Sequence, residues 1–583
     1  MQRRCNAALS RSAYPAAVLD RLRQGLERGI FFAKVLRATK LAPPMRPTSL
    51  AHFIKSARHV KRGPHLAVMF HAATHPEKEA VVEYSEHGVT RMTWGELDAT
   101  INRLCNALHA RGVTGGKRVA IMLPNSREYL IAQQALARLG ATAVQIGYRL
   151  KAAEVAYILE NSQPSATIVH ASYLGTIREA RKLANRSDQM IAVGRPVGDG
   201  SGRPVGDGSS NWTDVDEWER ALAAGDPAMP PKVREGDGGG LIVYTSGTTG
   251  KPKGANRSWN KTGFEAVADM MFQMGIRADD RHLVTCPLYH SAAPAFVAIL
   301  MALGATIVLQ NHFDPEQSLD IIEHEKITCT LMVPTMLIRI AALPPETIAK
   351  YSTRSLRWVM SGAAPLSPEA ARRFMGVFGP ILWNFYGATE TGLVTLAGPS
   401  DHVARPGTIG KALRGNTIRL LDDSGRDAPR GQVGELYARN STLMSGYHGD
   451  EEATNKAQRE GFYSVGDVAR MDADGYYYLE SRKHDMVISG GVNIYPREIE
   501  DHLSTHPAIL EAAVIGVPDP EWGETLRAFV VLRHGAQLTE REAQDYCREA
   551  LADYKRPRKV TFLAEMPRNP TGKILKRELR ELT

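Results

Sequence analysis

Cysteine is scarce in this sequence, and no two cysteines are spaced as a pair. The 583 residues hold five, Cys5, Cys105, Cys286, Cys329 and Cys547, scattered and without a CxxC motif. That excludes a disulfide framework and a thiolate zinc site, and a reducing cytoplasm fits best. No zinc-finger or RNP-like motif occurs, so no nucleic-acid partner is indicated. Long apolar runs are nearly absent too. Only Ser291 to Leu309, nineteen residues without a charge, reaches the length of a membrane span. Pro294 and Gly304 interrupt it, and Gln310 and Asn311 follow. It reads as a buried helix, a turn at Gly304 and a strand Ala305–Leu309. Acidic residues are almost missing from the start of the chain. Residues 1–62 hold fourteen Lys or Arg against Asp20 and Glu27, a local +12, which leaves −3 for the rest of a chain whose net charge is +9. The basic excess therefore belongs to an arm and not to a nucleic-acid surface on the body.

What remains is ordinary for a soluble globular protein, with 43% hydrophobic and 23% charged residues. The length requires at least two domains. Residues 1–47 read as a basic amphipathic extension. Leu19, Leu22, Leu26, Ile30 and Ala33 recur at helical steps, with Arg21, Arg23, Arg28, Lys34 and Arg37 mostly on other faces. Residues 18–40 could contact an anionic membrane surface peripherally, or dock on the protein itself. A transit peptide is the lesser reading.

From about residue 80 strands and helices alternate. Thr93 and Glu96 form a capping box before Leu97, Ile101, Leu104 and Leu108, and Gly112 ends that helix. Strands are expected at Val119–Leu123, Leu241–Tyr244, Leu356–Met360 and Thr330–Val333. Such alternation favours sheets flanked by helices. Residues 194–201 and 202–209 are both GRPVGDGS, a tandem duplication that belongs in an exposed loop. Near residue 480 the character changes to strands at Leu510–Val517 and Arg527–Leu532, with a helix capped by Thr539 and Glu542 running through Ala552. The fold class expected is α/β: a large domain of layered sheets over 48–483 and a small, mobile α+β domain over 484–583.

The sharpest motif is Tyr244-Thr-Ser-Gly-Thr-Thr-Gly-Lys-Pro-Lys-Gly254, directly after a buried strand. A loop dense in glycine and hydroxyl residues can aim N–H and O–H groups at phosphate oxygens, and Lys251 and Lys253 add positive charge. It is not a Walker loop. Gly247 lies only three residues before Gly250-Lys251, and Pro252 stands where Ser or Thr is required.

This segment resembles the phosphate-binding loop of the adenylate-forming superfamily, which includes acyl-CoA synthetases, luciferases and peptide-synthetase adenylation domains. Further motifs follow in that family's order over roughly residues 50–583. The resemblance implies an AMP-forming acid–thiol ligase that uses ATP, Mg²⁺ and coenzyme A. Thr245, Ser246, Gly247, Thr248, Thr249, Gly250 and Lys251 would hold the phosphates. Gly362-Ala363-Ala364 would lie against the adenine, where small residues allow close approach. In Tyr386-Gly387-Ala-Thr389-Glu390, Tyr386 would stack on the adenine and Thr389 would contact the α-phosphate. Glu390, with Thr245, would bind the magnesium. Asp467 in Ser464-Val-Gly-Asp467 and Arg482 would take the ribose hydroxyls.

His484 occupies the hinge position, where the family commonly has Asp or Lys, so its partners are left open. Gly490 and Gly491 would line the approach of the thiol. Lys573, in Pro567-Arg-Asn-Pro-Thr-Gly-Lys573, would be the catalytic lysine, bridging carboxylate and phosphate oxygens. His290 and Asn384 would border the acyl pocket, where no fixed cation demands a dicarboxylate. A medium- or long-chain fatty acid is the favoured substrate, with an aryl or sterol-derived acid as the alternative. An acyl carrier protein is the alternative acceptor, a homodimer the alternative assembly, and a non-catalytic lipid-binding scaffold the remaining class.

Overall fold

Short-range signals set the elements. The Thr93 hydroxyl accepts from the Glu96 N–H at 3.2 Å, and the Thr93 N–H donates to the Glu96 carboxylate at 2.8 Å. This capping box opens the helix Trp94–Ala110, which buries Leu97, Ile101, Leu104 and Leu108 on one face. Truncating one of these, as in Leu104→Ala, costs about 2–5 kcal/mol. Gly112 then takes φ +83°, the left-handed turn expected after a helix end. The long uncharged run resolves as the helix Ala292–Leu303, Gly304 at φ +84° and the fully buried strand Thr306–Gln310. No helix among the described residues is long and apolar enough to cross a membrane.

The computed structural model describes residues 31, 34–35, 37–39, 47–57, 60, 63–194, 215–230, 239–245, 252–259, 264–490, 492–569 and 572–583. Most of the basic helix expected over 18–40 lies outside them. So do the duplicated octapeptide beyond Gly194, Ser246 to Lys251 of the phosphate loop, and Gly491. The described part of the arm docks on the body. The Phe31 ring meets Phe272 edge-on at 6.2 Å, and the Ala278 N–H donates to the Thr39 carbonyl at 3.0 Å.

Three sheets are present among the described residues. The first contains a parallel run in the order Glu79–Ser85, Thr306–Gln310, Arg281–Val284, Cys329–Met332, Trp358–Ser361 and Leu382–Ala388. It continues through antiparallel strands to Tyr477–Arg482, Asp467–Met471 and Val433–Arg439. The second places Gly240–Thr245 beside Thr142–Gln145 in parallel. Helices bury one continuous core between the layers. A buried ion pair stitches that core, with Arg138 donating to Asp98 at 2.7 Å and to Asn102 at 2.6 Å.

The third sheet belongs to the C-terminal part. It pairs Ile509–Asp519 with Gly523–Leu532 and adds Lys559–Phe562 in parallel. Its capped helix runs over Glu540–Ala550 and stops before the expected Ala552, because Leu551 is already extended. Other expected strands are displaced by a residue or two. The strand expected at Thr330–Val333 is Cys329–Met332, because Val333 is the N-cap of the helix Pro334–Ala341. The one expected at Leu356–Met360 is Trp358–Ser361. The two-part α/β architecture is as expected from the sequence.

Candidate active site

Parallel strands deliver their carboxyl ends to one edge, where ligands bind in open α/β sheets. Here that edge opens into a cleft of about 2700 Å³ between the large and small parts. Thr245, at the end of Gly240–Thr245, lines it. Its hydroxyl lies 3.4 Å from Glu390 Oε1, and the Tyr447 hydroxyl donates to the same oxygen at 3.0 Å. Burial and the neighbouring Glu390 raise the Tyr447 phenol well above its ordinary range, so Tyr447 remains a donor.

Thr389 and Glu390 sit at the tip of a hairpin closed backbone on backbone. A Cβ on Gly387 would lie 2.0 Å from the Gly392 carbonyl oxygen, so only glycine fits. The Thr391 hydroxyl accepts from the Ala388 N–H at 3.0 Å. Arg257 buttresses the tip from the next sheet, donating to the Thr389 carbonyl and, at 3.0 Å, to that of Thr442. Ser291 Oγ lies 3.0 Å from Thr389 Oγ1, which ties the hairpin to the start of the helix Ala292–Leu303.

The adenine-side turn follows Trp358–Ser361. A Cβ on Gly362 would come within 2.2 Å of the Phe385 ring, so the backbone is pressed against it. Ala363 takes φ +65°, a left-handed conformation costing about 1–3 kcal/mol for a residue with a Cβ. The strain fixes the turn, with Ala363 and Ala364 lining the cleft. Tyr386 is buried on the neighbouring strand and donates to Asp467 Oδ2 at 2.9 Å. Asp467 and Arg482 are cross-strand partners, with Arg482 Nε 3.2 Å from Asp467 Oδ1. One carboxylate thus holds a phenol and a guanidinium beside the turn.

Lys573 enters from the C-terminal part on a hairpin closed by the bridge between Arg568 and Ile574. Its N–H donates to Asn569 Oδ1 at 2.9 Å. The tip is seated against the large domain, since a Cβ on Gly572 would lie 2.5 Å from the Thr335 hydroxyl. Burial, and next the Arg482 charge, push the Lys573 ammonium down to about 8, with Asp467 and Asp485 acting in the opposite sense. A further contact closes the cleft, with Arg497 donating to the Leu366 carbonyl at 2.6 Å.

His484 lies at the junction and is half exposed, 3.8 Å from Asp485. Its neighbour Lys483 donates its N–H to Gly466 at 2.8 Å. Gly490 is on a different face. It is exposed at φ +56°, its N–H donates to the Trp522 carbonyl at 2.9 Å, and a Cβ there would meet the indole at 2.8 Å. The structure therefore brings Lys573 into the cleft while Gly490 faces outward. His290 and Asn384 both line the cleft. Burial, and next the charge of Arg149, push the His290 imidazole down to about 3, so it is neutral.

Sequence reasoning missed Arg257, Tyr447, Ser291, Thr335 and Asn569. Arg257 left one signal, a charged residue inside a strand that continues the phosphate-loop motif. Asn569 lies within the motif that carries Lys573, four residues before it, while Tyr447, Ser291 and Thr335 carry no signal because their roles depend on which distant segments fold beside them.

An oxygen-only donor set suits a hard cation. Among the described residues no cluster of three His, Cys, Asp or Glu exists, so Glu390 is not part of a multi-carboxylate cage. That fits magnesium, which keeps waters and takes phosphate oxygens rather than a protein cage. With the strained turn and the Tyr386–Asp467–Arg482 group, the fold and cleft define an adenylate-forming enzyme. The chain belongs to the AMP-binding enzyme family. The model of that family matches residues 69–448, and that of the AMP-binding enzyme C-terminal domain matches residues 498–573.

Among its relatives, the feruloyl-CoA synthase of Amycolatopsis sp is 36% identical over 502 residues, covering 85% of this chain and 94% of that one. The long-chain-fatty-acid–CoA ligase FadD13 of Mycobacterium tuberculosis is 34% identical over 514 residues, covering 88% and 96%. A solved anthranilate CoA ligase, AuaEII, in complex with anthranoyl-AMP superposes with a TM-score of 0.78 at 26% identity, covering 90% of this chain and 97% of that one. The chain is accordingly an AMP-forming acid–thiol ligase, with a carboxylic acid and coenzyme A as its substrates.

Proposed function

We propose that this ligase activates a hydrophobic monocarboxylic acid larger than acetate, in two half-reactions that share the cleft. The observation that carries this reading is the convergence of Lys573, the Asp467–Arg482 pair and Thr245–Glu390 on one cleft whose inner wall is the apolar helix Ala292–Leu303. In the first half-reaction an oxygen of the acid attacks the α-phosphorus, and the bond to the β-phosphate oxygen breaks. Pyrophosphate departs with the electron pair and acyl-AMP remains. Two anions must meet, so neutralising charge and holding the line of attack are the main needs. Lys573 neutralises the carboxylate and α-phosphate oxygens. Asp467 accepts from the ribose hydroxyls while Tyr386 and the Ala363 turn hold the base. Thr245 and Glu390 would hold magnesium, which when bound supplies further charge neutralisation.

In the second half-reaction the small domain turns about His484, withdrawing Lys573 and bringing the Gly490 face to the cleft. The thiol sulfur then attacks the acyl carbonyl, the thiol proton goes to solvent, and the bond to the AMP oxygen breaks. The feruloyl and long-chain-fatty-acid ligases among the relatives bracket the acid, one ring-bearing and one aliphatic. Pyrophosphate release with Mg²⁺ and ATP, measured across fatty, aryl and alicyclic acids with and without CoA, tests the reading. A CoA-stimulated signal with AMP and acyl-CoA as products supports it. Silence across the panel from folded, ATP-binding protein rejects it.

A further inference from the structure

The acid end of the cleft contains a set of polar side chains that the reaction does not use. Gln145 ends the strand Thr142–Gln145, and it stands in register with Val243. Neighbours in register share a sheet face, so Gln145 projects to the same side as Leu241, Val243 and Thr245. All four line the cleft. Gln145 is only 2% exposed, and among the described residues neither its amide oxygen nor its amide nitrogen has a hydrogen-bond partner. Tyr289, 4% exposed, lines the same wall with an unpartnered hydroxyl. Gln133 Nε2 and Gln134 Oε1, on the adjacent helix Arg127–Leu139, are buried and unpartnered as well, as is His290 Nε2.

Each such atom is costly to bury alone, at about 1–3 kcal/mol. Five residues in this state lining one cleft are expensive as packing and reasonable as recognition groups. Their positions are fixed. The Tyr289 ring stands edge-on to Tyr148 at 5.3 Å, and a Cβ on Gly147 would lie 3.0 Å from it. Arg149, whose guanidinium lies 5.7 Å over the Tyr148 ring, is a cation that lines the same cleft, while Gln145 and Tyr289 carry no charge themselves. A neutral oxygen or nitrogen that both donates and accepts would satisfy them. Two residues of strand rise and one strand spacing put the Gln145 backbone about 8 Å from that of Thr245, at the phosphate end.

We propose that Gln145 and Tyr289, with Gln133 and Gln134, form a neutral hydrogen-bonding subsite that selects acids bearing a hydroxyl or carbonyl away from the carboxylate. The subsite rests on the ligase reading above and narrows its substrate class. An oxygen-free acid leaves these groups unpaired, which is the arrangement by which a polar site rejects an analogue lacking its hydrogen-bonding group.

The test compares 3-phenylpropanoate with its 3-hydroxyphenyl and 4-hydroxyphenyl counterparts by pyrophosphate release and acyl-CoA formation, alongside straight-chain fatty acids. The wild type is expected to favour one hydroxylated acid at least tenfold in kcat/KM. Gln145→Leu and Tyr289→Phe are expected to bring that ratio toward one. The ratio is read within each variant, so loss of folded protein lowers both rates and leaves it unmoved. The phenylalanine variant removes one oxygen only, which guards against a leucine variant that does not fold. Equal kcat/KM for all three acids in the wild type overturns the subsite and leaves the ligase standing. Turnover of fatty acids alone does the same. A preference that survives in both variants also overturns it. No pyrophosphate from any acid removes the ligase reading, and the subsite with it.

Discussion

The two ends of the cleft are built on opposite terms. At the nucleotide end the carboxylates are held: Asp467 by Tyr386 and Arg482, and Glu390 by Thr245 and Tyr447. At the acid end Gln145, Tyr289 and His290 are neutral and each leaves an atom unpaired, with Arg149 as a cation lining the same cleft. A charge cannot wait alone in a buried site, because its desolvation is too costly, so the nucleotide end is pre-paired. A neutral amide or phenol waits at a few kcal/mol. The end that performs the same chemistry on every substrate is satisfied in advance, and the end that chooses the substrate is left open.

The sharpest way to break this comparison is to remove Lys573, a cation that serves both ends in the proposed mechanism. Lys573→Ala is expected to lower acyl-AMP formation by on the order of 10²–10³. Thioester formation from supplied acyl-AMP should fall far less, because that step has no α-phosphate charge to neutralise as it builds. Single-turnover assays of each half-reaction decide the point, and equal losses in both would remove Lys573 from its assigned role. The hinge gives the reverse pattern. Proline fixes φ and removes an N–H donor, so His484→Pro should slow thioester formation by roughly 10–100-fold and spare adenylation by comparison.

A smaller effect sharpens the nucleotide end. Asp467→Ala strips the partner from a buried phenol and from Arg482. The KM for ATP should rise roughly tenfold or more, with a stability loss of about 1–3 kcal/mol in denaturant titration. Tyr386→Phe leaves the carboxylate with Arg482 and should cost less in both readouts. An inversion of that order would show that the phenol, and not the carboxylate, organises the ribose side.

Much of the fold and of the nucleotide end was legible in the sequence. Capping boxes at Thr93–Glu96 and Thr539–Glu542 are local, and a positive-φ glycine such as Gly304 announces itself. Charge chemistry also restricts residue type, so Asp467, Glu390 and Lys573 stand out within their motifs. The acid end was not legible. Gln133, Gln134 and Gln145 belong to no motif, and Gln145 meets Val243 in register from about a hundred residues away. Strand limits shifted for a similar reason. Val333 has strand-like chemistry, but Pro334 after it opens a helix and takes Val333 as the cap.

The smallest predicted effect follows from the same boundary between the ends. Burial and the Arg482 charge hold Lys573 at about 8 in the free enzyme, against an ordinary 10.5. Only its protonated form neutralises the carboxylate and phosphate oxygens. The active form is therefore complete well below pH 8 and is lost as pH rises through it. kcat/KM for adenylation, which reports the free enzyme, should fall about tenfold between pH 7 and pH 9. Lys573→Arg carries a guanidinium that stays charged throughout, so its residual activity should lack this limb. Transfer from supplied acyl-AMP should lack it in the wild type as well, since in the proposed mechanism Lys573 has left the cleft by then. A limb of equal size in the transfer step would mean that the titrating group is not the lysine.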